Sequence, residues 1–534
     1  MRADTGRVAT ATLAEARGRE TDAERVDWLI DNADAYRAVL AAIGRARESI
    51  WITQLAFDAD CVAHDTCPKG NSPRVGAPGS DTPATRGVLL FDSLIAAAAR
   101  GVAVRVLLNE TLLLDTVTPL RAALRRAQAL DVRVRGIKRF PQLLHAKLLI
   151  VDEHEGLLLG SPFANGYWDD SNHLPVDGRR PPRELGGRPL HDVSTRVTGP
   201  AVRALGAVFA ELWNDASVGD ASDAPIECRP LRARDLGGHV SIARTVPDGV
   251  LPRHREGATE ILNEIERALA AARRLVYVEH QYLSSRRVIA ALAGALARER
   301  ELEIVIVLNQ NPDVTAYRGW QNARLRDAGL LDHPRVGLFA LWRATPPVAD
   351  SAARGWMLNQ LFVHSKVLIV DDAWVTVGSA NLDGVSLHSY GDDFTGWLGR
   401  RIFRDVRNFD VNVVLRAEHG AKENPVRALR TRLWSEHLTL DAATLESAPR
   451  EVSLTLWRER AAMGIEMLGR APGGGRDDRA PQVVPFVLPY SARSRPADQL
   501  RDVGVREVER LGLCFDPGWL EVHFSPNWVR NMFA

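Results

Sequence analysis

The chain repeats one pattern of hydrophobic and polar positions. An Ala- and Arg-rich stretch leads into ARESIWITQLAFD at residues 46–58, and a second such stretch leads into ARRLVYVEHQYLS at 272–284. In both, helix-forming residues precede a β-branched and aromatic run, a pattern that predicts a helix followed by a buried strand. Segments 94–110 and 292–310 then predict a helix, a short turn and an almost continuously apolar strand. Such strands lie in the centre of a sheet that is covered on both faces.

The two copies keep a nearly constant offset. The segment LLHAKLLIVDE (143–153) matches FVHSKVLIVDD (362–372), and the two histidines, His145 and His364, are 219 positions apart. Further on, Trp213 and Trp434 are 221 positions apart, and we expect both to anchor the core. Strands that alternate with helices indicate an α/β fold. The sequence therefore predicts two similar α/β domains, one at 31–235 and one at 236–445.

The remaining regions have no counterpart in the repeat. Residues 1–30 are polar and lack the apolar centre of a signal peptide. Residues 59–86 and 166–190 are rich in Gly and Pro and are expected to form surface loops. Residues 446–534 form a C-terminal extension. Since no run approaches the roughly 18 apolar residues of a membrane span, we expect a cytoplasmic or peripheral membrane protein.

Composition narrows the class of protein. With 46% hydrophobic and 25% charged residues, the 534-residue chain has an ordinary globular balance. Its net charge of +1 gives no overall attraction to nucleic acid, so no nucleic-acid partner is expected. The four cysteines form no disulfide framework and lack the spacing of a zinc site. We expect a monomer without a metal or another cofactor.

Each repeated motif joins a histidine to a lysine. Residues two apart on a strand share a face, so His145 should project beside Lys147, and His364 beside Lys366. A lysine favours the neutral imidazole and supplies a point charge for a phosphate. Neutral imidazole is a nucleophile and imidazolium is an acid. Two copies therefore offer both forms to one phosphodiester.

Four aspartates accompany the motifs. Asp152 and Asp371 follow the lysines by five residues and should lie at the far end of the strand. They either contribute to catalysis or tie the strand end to a neighbouring backbone, and the sequence leaves both interpretations open. Asp192 follows His145 by 47 residues and Asp410 follows His364 by 46. This equal spacing makes Asp192 and Asp410 the candidates to orient the imidazoles.

Small and polar residues follow each motif. Gly378, Ser379 and Asn381 come after the second, where a small residue lets the backbone approach a ligand and the polar side chains can donate to phosphate oxygens. Ser161 takes the serine position after the first motif. Asn165 stands two residues later than the repeat predicts.

The paired His-x-Lys-x4-Asp motifs, each followed by Gly-Ser, resemble the phospholipase D superfamily over about residues 40–440. HDVSTRVTGPAV (191–202), YVEHQYL (277–283) and RTRLWSEHL (430–438) are similar to its phosphatidylcholine-type branch. The resemblance implies two α-β-α sandwich domains related by a pseudo-two-fold axis, with one active site at their interface. It also implies a phosphohistidine intermediate without a metal, in which His145 attacks and His364 donates a proton.

The resemblance favours hydrolysis of a phosphatidylcholine-like phospholipid to phosphatidic acid, with water or an alcohol as acceptor and peripheral membrane contact. One alternative is a phosphatidyltransferase of the cardiolipin synthase kind, although such enzymes commonly carry N-terminal membrane helices that this sequence does not show. Another is a nuclease with the same site, which the low net charge disfavours. A lipid-binding protein with a relic site is disfavoured by two intact motifs.

Other residues allow two interpretations each. Glu279, His280 and Gln281 either line the pocket or form a buried network. The aromatic residues of the predicted loops are expected to pack in the protein, with contact to acyl chains as the alternative; they are Tyr167, Trp168, Tyr317, Trp320 and Trp356. We expect His154, His173 and His388 to be solvated.

Overall fold

The computed structural model describes most of both repeats and little of the C-terminal extension. The described residues are 24–64, 87–111, 114–129, 131–174, 177, 179–180, 189–216, 225–228, 239–251, 254–309, 315–345, 357–394, 396–417, 423–447, 453–468, 482–485 and 514–515. Much of the two predicted surface loops and Trp356 lie outside them.

The first half alternates strands and helices, as its pattern predicts. Its elements are β1 (Arg25–Ile30), α1 (Asp31–Arg45), β2 (Ser49–Thr53), β3 (Val62–His64), β4 (Gly87–Leu89), α2 (Leu90–Ala99), β5 (Ala103–Asn109), α3 (Val117–Arg126), β6 (Arg133–Ile137), β7 (Leu148–Val151), β8 (Glu155–Leu158), β9 (Leu190–His191), β10 (Val193–Thr198) and α4 (Pro200–Asp215).

The second half repeats this order and continues into the C-terminal extension. Its elements are β11 (Val240–Val246), β12 (Ala258–Thr259), α5 (Glu260–Ala271), β13 (Leu275–His280), α6 (Arg286–Arg298), β14 (Glu303–Leu308), α7 (Thr315–Asp327), β15 (Val336–Thr345), β16 (Met357–Gln360), β17 (Phe362–Val363), β18 (Lys366–Val370), β19 (Trp374–Gly378), α8 (Gly384–Leu387), α9 (Trp397–Ile402), β20 (Asp410–Arg416), α10 (Pro425–Leu438), α11 (Ala442–Ser447), α12 (Ser453–Leu468), β21 (Val483–Pro485) and β22 (Cys514–Phe515).

The two large sheets have the same topology. The first runs β1-β10-β8-β7-β2-β5-β6, and the second contains β11-β20-β19-β18-β13-β14-β15 in the matching order. In both, three strands pair in parallel (β2-β5-β6 and β13-β14-β15) and the remaining neighbours pair antiparallel. The predicted duplication is therefore present in the fold, which is α/β with two similar halves.

Each sheet is covered on both faces, as its continuous apolar strands predict. The outer face of the first sheet packs against α1, α2 and α3, and that of the second against α5 and α6. Between the sheets lies a shared core that includes α4, α10 and α12. Trp213 and Trp434 are both buried in this shared core, so the prediction that they are core anchors is confirmed.

The C-terminal extension packs on the second half. Trp457 of α12 lies 5.6 Å from Trp434 and 5.8 Å from Tyr277, measured between ring centroids. β21 pairs with β15, and β22 pairs with β16. The described part of this extension thus completes the second sheet and its core. Among the described residues, no helix combines the length and apolar character needed to cross a bilayer.

Candidate active site

The two motif histidines lie where the halves meet, in extended segments just before β7 and β18. The backbone N–H of His145 donates to the carbonyl of Phe409 at 3.0 Å. Reciprocally, the N–H of His364 donates to the carbonyl of His191 at 2.8 Å. Exchanged contacts of this kind are what a two-fold relation between similar bodies produces. Each histidine is thus fixed by the other half.

Two asparagines that the sequence analysis passed over hold these segments in place. Asn109 accepts from the N–H of Leu144 at 2.9 Å and donates to the carbonyl of Leu144 at 2.9 Å. Asn309 holds Val363 in the same way, at 2.8 and 2.7 Å. Both asparagines end the repeated apolar strands, so the repeat contained the signal.

The orienting aspartates are exchanged between the halves. His145 Nδ1 lies 2.6 Å from Asp410 Oδ1, and His364 Nδ1 lies 2.8 Å from Asp192 Oδ2. All four side chains are buried. A carboxylate that accepts from Nδ1–H fixes the tautomer and places the ring lone pair on Nε2. The two candidate orienters do contact the imidazoles, but each one serves the histidine of the opposite repeat.

The motif serines have a different contact from the predicted one. The Ser161 hydroxyl donates to Asp192, and the Ser379 hydroxyl donates to Asp410 Oδ1 at 2.7 Å. Ser161 Oγ also lies 3.2 Å from His364 Nδ1. Both serines therefore fix the orienting carboxylates. In this arrangement the hydroxyl protons are engaged by carboxylates, and their predicted donation to phosphate stays a prediction.

The glycine before each serine allows a close approach within the protein. A Cβ at Gly160 would collide with the Asp192 carboxylate, and a Cβ at Gly378 would collide with Val411 and Asn412. This packing gives Gly378 a structural reason, and the predicted approach of its backbone to a ligand stays a prediction. The space that this residue leaves is filled by the strand that carries Asp410.

The lysines lie beside their histidines, and burial together with these lysines lowers the pKa of both rings. Lys147 Nζ donates to the His145 carbonyl at 3.0 Å, and Lys366 Nζ lies 3.1 Å from both ring nitrogens of His364. Burial and Lys366 lower the pKa of His364 to about 4, and burial and Lys147 lower that of His145. Burial and then Lys366 lower the pKa of Lys147 to about 7. Since each lysine acts on the other half's groups, the four side chains share one electrostatic environment.

Asp152 and Asp371 directly follow β7 and β18, at the ends of these strands that are remote from the histidines. Asp152 accepts three backbone N–H groups, from Arg47, Glu48 and Ser49, at 2.8–2.9 Å. Asp371 accepts the three equivalent groups of residues 273–275 at 2.8 Å each. Both have left-handed backbones, which Asp tolerates in a tight turn. Of the two interpretations left open, the structure favours the tie between strand end and backbone over a catalytic role.

The two predicted amide donors differ. Asn165 Oδ1 accepts from the N–H of Val62 at 3.1 Å, which ties β3 to the segment that follows β8 in the first half. Asn381 is buried, and its Oδ1 has no hydrogen-bond partner among the described residues. Binding of a phosphate oxygen by Asn381 would use its amide N–H rather than this oxygen and stays a prediction, whereas the contact of Asn165 is structural.

Gln54 and His280 occupy equivalent strand ends in the two halves, a correspondence that the sequence analysis did not identify. Gln54 follows β2, and His280 ends β13, where it pairs in register with Lys366. Both are buried, and among the described residues neither the Gln54 amide nor the His280 ring has a hydrogen-bond partner. Burial and Lys366 lower the pKa of His280 to about 3. Buried polar groups in this state are candidates for contact with a bound anion.

A second set of titratable residues crosses the interface behind Asp192. This interdomain polar cluster comprises Asp31, His173 and His191 from the first half and Glu279, Glu436 and His437 from the second. His191 Nε2 lies 3.0 Å from Glu279 Oε1, and His437 Nε2 lies 2.8 Å from Glu279 Oε2. Glu279 thus belongs to a buried network, the second of its two expected roles.

The expectation of a solvated His173 is wrong. Its side chain is fully buried, with Nδ1 3.1 Å from Asp169 Oδ2 and Nε2 2.9 Å from Glu436 Oε1. Burial alone would lower its pKa, but Asp31, Asp169 and Glu436 raise it to about 10. Asp169 is only four residues away, but Asp31 and Glu436, which complete the burial of this ring among carboxylates, come from distant segments that its local sequence does not indicate.

The cluster also contains the side chains best placed for a metal ion within the described chain. Donor atoms of Asp31, His173, His191 and Glu436 lie within 4.8 Å of one another, as do those of His191, Glu279 and His437. The same short contacts pair carboxylates with imidazoles, and such charge-assisted pairs can neutralise the cluster without an ion.

The aromatic residues assigned to loops pack in the protein, as expected, although Tyr317 and Trp320 lie on α7 rather than in a loop. Tyr167, Trp168 and Tyr317 are buried, and the Tyr167 ring lies 5.2 Å from that of His364. Trp320 is half-buried, 5.4 Å from Tyr317.

Comparison with known families agrees with this geometry. The family model described as "Cardiolipin synthase, PLD-like domain" matches residues 39–165 and 265–401. The two matches contain one histidine-lysine motif each, at equivalent places in the fold. Each half thus contains a region similar to a phospholipase D-like domain. The exchanged His–Asp pairs join these two regions.

Individual relatives have low identity. The major cardiolipin synthase ClsA of Bacillus subtilis is 23% identical over 380 residues, which cover 68% of this chain and 63% of that protein. A cardiolipin synthase of Staphylococcus aureus is 23% identical over 250 residues, 45% of this chain and 40% of the relative. Phospholipase D zeta 1 of Arabidopsis thaliana is 33% identical over 101 residues, 19% of this chain and 9% of the relative. The matches thus span less than two thirds of these relatives.

Among solved structures, the phosphatidylserine synthase of Haemophilus influenzae has a TM-score of 0.46 and 12% identity. The match covers 84% of this chain and 97% of that one. The family model and the sequence relatives support the superfamily-level resemblance, but they do not single out the phosphatidylcholine-type branch that the motifs indicated.

Proposed function

We propose that the protein is a phosphatidyltransferase that exchanges the alcohol of a phospholipid phosphodiester through a phosphohistidine intermediate. The observation that carries this proposal is the reciprocal pairing of His145 with Asp410 and of His364 with Asp192. Two oriented imidazoles with a lysine beside each one suit an in-line attack on phosphorus followed by a second displacement. Neither half supplies a complete set alone.

The first displacement forms a phosphorus–nitrogen bond. Nε2 of His145 attacks phosphorus, the ester bond to the leaving alcohol breaks, and the other imidazole gives its proton to the leaving oxygen. The lowered pKa values of both rings belong to a site without an anion. A bound phosphodiester carries a negative charge, which raises the pKa of His364 toward the range of a useful acid. The assignment of attack to His145 rests on the family resemblance.

The second displacement reverses these roles. Neutral His364 takes a proton from an incoming hydroxyl, whose oxygen attacks phosphorus while the bond to His145 breaks. If the hydroxyl belongs to a second phospholipid such as phosphatidylglycerol, the product is of the cardiolipin type. If water enters, the product is phosphatidic acid.

The relatives favour transfer over the hydrolysis that the motifs first indicated, because two of them are named cardiolipin synthases. Hydrolysis remains the second candidate because the chain also matches plant and Dictyostelium discoideum phospholipases D. Both outcomes use one covalent intermediate and differ only in the acceptor.

The deciding experiment supplies phosphatidylglycerol vesicles and measures products by mass spectrometry. Transfer predicts cardiolipin with release of glycerol, whereas hydrolysis predicts phosphatidic acid. Phosphatidylcholine with ethanol as acceptor provides a second test, because a covalent intermediate gives phosphatidylethanol. Absence of turnover on every phospholipid tested, with folded protein, would refute the proposal. Given a nitrophenyl phosphodiester, whose leaving group needs no proton, His364→Ala should accumulate an adduct on His145, detectable in the intact protein, because only the second displacement then lacks its base.

A further inference from the structure

An apolar face lies exposed on α9. Of the described large hydrophobic side chains that are exposed, three belong to this one helix: Trp397 at 70%, Leu398 at 61% and Ile402 at 60%. We call these three residues the α9 apolar face. Single exposed hydrophobic residues are normal in proteins, whereas a contiguous group marks a surface that binds a partner.

The helix presents this face outward because its other side is fixed to the protein. A Cβ at Gly399 would lie 2.5 Å from the Phe394 ring, so the glycine lets the helix rest directly on that ring. Phe394 stacks on Phe403 with centroids 4.9 Å apart, and both rings contact Tyr390 at 5.0 and 5.4 Å. The segment therefore has its own packed aromatic base, and the α9 apolar face is what remains outside.

The segment that carries α9 begins and ends in the active site. It leaves the site after Asn381 and returns at Asp410, which orients His145. Asn408, near its end, donates from its N–H to the carbonyl of Val385 at 2.8 Å and accepts from the N–H of Leu143 at 3.1 Å. The exposed face thus belongs to the same structural unit as the phosphate site.

The charges on this helix suit an anionic surface. Three exposed arginines accompany the apolar face, Arg400 and Arg401 on α9 and Arg404 two residues after its end, and we call them the α9 arginines. The Arg401 guanidinium lies 5.5 Å from the Trp397 ring. Tryptophan and aliphatic side chains bordered by arginines are typical of protein surfaces that insert at the headgroup level of a bilayer. A protein partner would not explain the link to a lipid phosphodiester site.

We propose that the α9 apolar face and the α9 arginines dock the protein on a bilayer that contains anionic phospholipid. The choice of a bilayer over a protein partner, and the consequence for substrate delivery, rest on the proposed function. The apolar face enters the interface, and the arginines contact lipid phosphates.

The test compares vesicle binding by the full chain and three variants. Vesicles of phosphatidylcholine, with and without phosphatidylglycerol, are sedimented with the protein. Trp397→Ser/Leu398→Ser/Ile402→Ser should weaken binding to the anionic vesicles about tenfold or more, because its apolar contact area is lost. Arg400→Gln/Arg401→Gln/Arg404→Gln should remove the preference for phosphatidylglycerol. The matched control is Met463→Ser, an exposed hydrophobic residue of α12, which should bind as the native protein does.

Turnover separates the two proposals. The apolar-face variant should lose activity on vesicles but keep it on a monomeric short-chain phospholipid. If the apolar-face variant bound vesicles as tightly as the native protein does, the docking proposal would be overturned. Failure of the native protein to bind either kind of vesicle would also overturn it. A changed oligomeric state with unchanged vesicle binding would assign the face to a second copy and also overturn it. Intact vesicle docking without turnover of any phospholipid would instead refute the proposed function.

Discussion

Asp410, from the second repeat, accepts a 2.6 Å hydrogen bond from Nδ1 of His145, from the first. The Ser379 hydroxyl fixes the same carboxylate at 2.7 Å. The reciprocal arrangement around Asp192 makes the site a property of the interface. Five predictions follow from these contacts and their surroundings.

Removal of either carboxylate should slow a different step. Asp410→Asn and Asp192→Asn should each lower kcat by roughly 10²–10⁴, because the amide no longer stabilises a cationic ring. If His145 attacks, Asp192→Asn impairs proton donation by His364. Its defect should then shrink with a nitrophenyl phosphodiester, whose leaving group needs no proton, while that of Asp410→Asn persists. Equal defects on both substrates in both variants would contradict this division of roles.

Deprotonation of Lys147 should determine the alkaline limb of the pH profile of kcat/KM. Because its pKa is lowered to about 7, the free enzyme loses this phosphate-binding charge as pH rises above that value. We expect kcat/KM to fall there, and the fall to move to higher pH in Lys147→Arg, since guanidinium stays protonated. An arginine fits less well, so the maximum rate should also drop. An unchanged limb in the variant would rule out Lys147 as its source.

Replacing Gln54 or His280 by an apolar residue should raise stability and lower activity. Each buries a polar group without a hydrogen-bond partner among the described residues. Gln54→Met and His280→Leu should therefore raise the free energy of unfolding, by up to about 1–3 kcal/mol, and lower kcat/KM. Thermal melts and steady-state kinetics measure the two effects. Lower stability with full activity would show that neither side chain contacts substrate.

Asp152 and Asp371 should matter for stability alone. Each carboxylate holds three backbone N–H groups, so Asp152→Ala or Asp371→Ala should cost roughly 1–3 kcal/mol of unfolding free energy. At a temperature where the variants stay folded, kcat should be near that of the native protein. Loss of kcat comparable to that of His145→Ala would restore the catalytic interpretation.

His173 should make stability depend on pH on the alkaline side. Its pKa rises from about 6.5 in the unfolded chain to about 10 in the folded protein. The folded state holds the proton more tightly, so this contribution is complete below the unfolded value and is lost as pH rises through the folded one. The melting temperature difference between the native protein and His173→Gln should therefore shrink over that window. His154→Gln, an exposed control, should show no such trend.

The residues alone established the duplication, the α/β class and the two histidine-lysine pairs. These are local signals: apolar periodicity predicts strands such as β7 and β18, and residues two apart on an extended chain share a face. Asp192 and Asp410 were also found, because equal spacing from the motifs marks them in one dimension.

Only the tertiary structure decided which groups meet. His145 is 265 positions from Asp410 and His364 is 172 from Asp192, and no pattern along the chain encodes that exchange. Packing of the two sheets around a shared core brings these side chains together. The same packing buries His173 among distant carboxylates and leaves the α9 apolar face outside. Contacts between remote segments depend on how surfaces fit, and a sequence pattern records only which side of its own element a residue occupies.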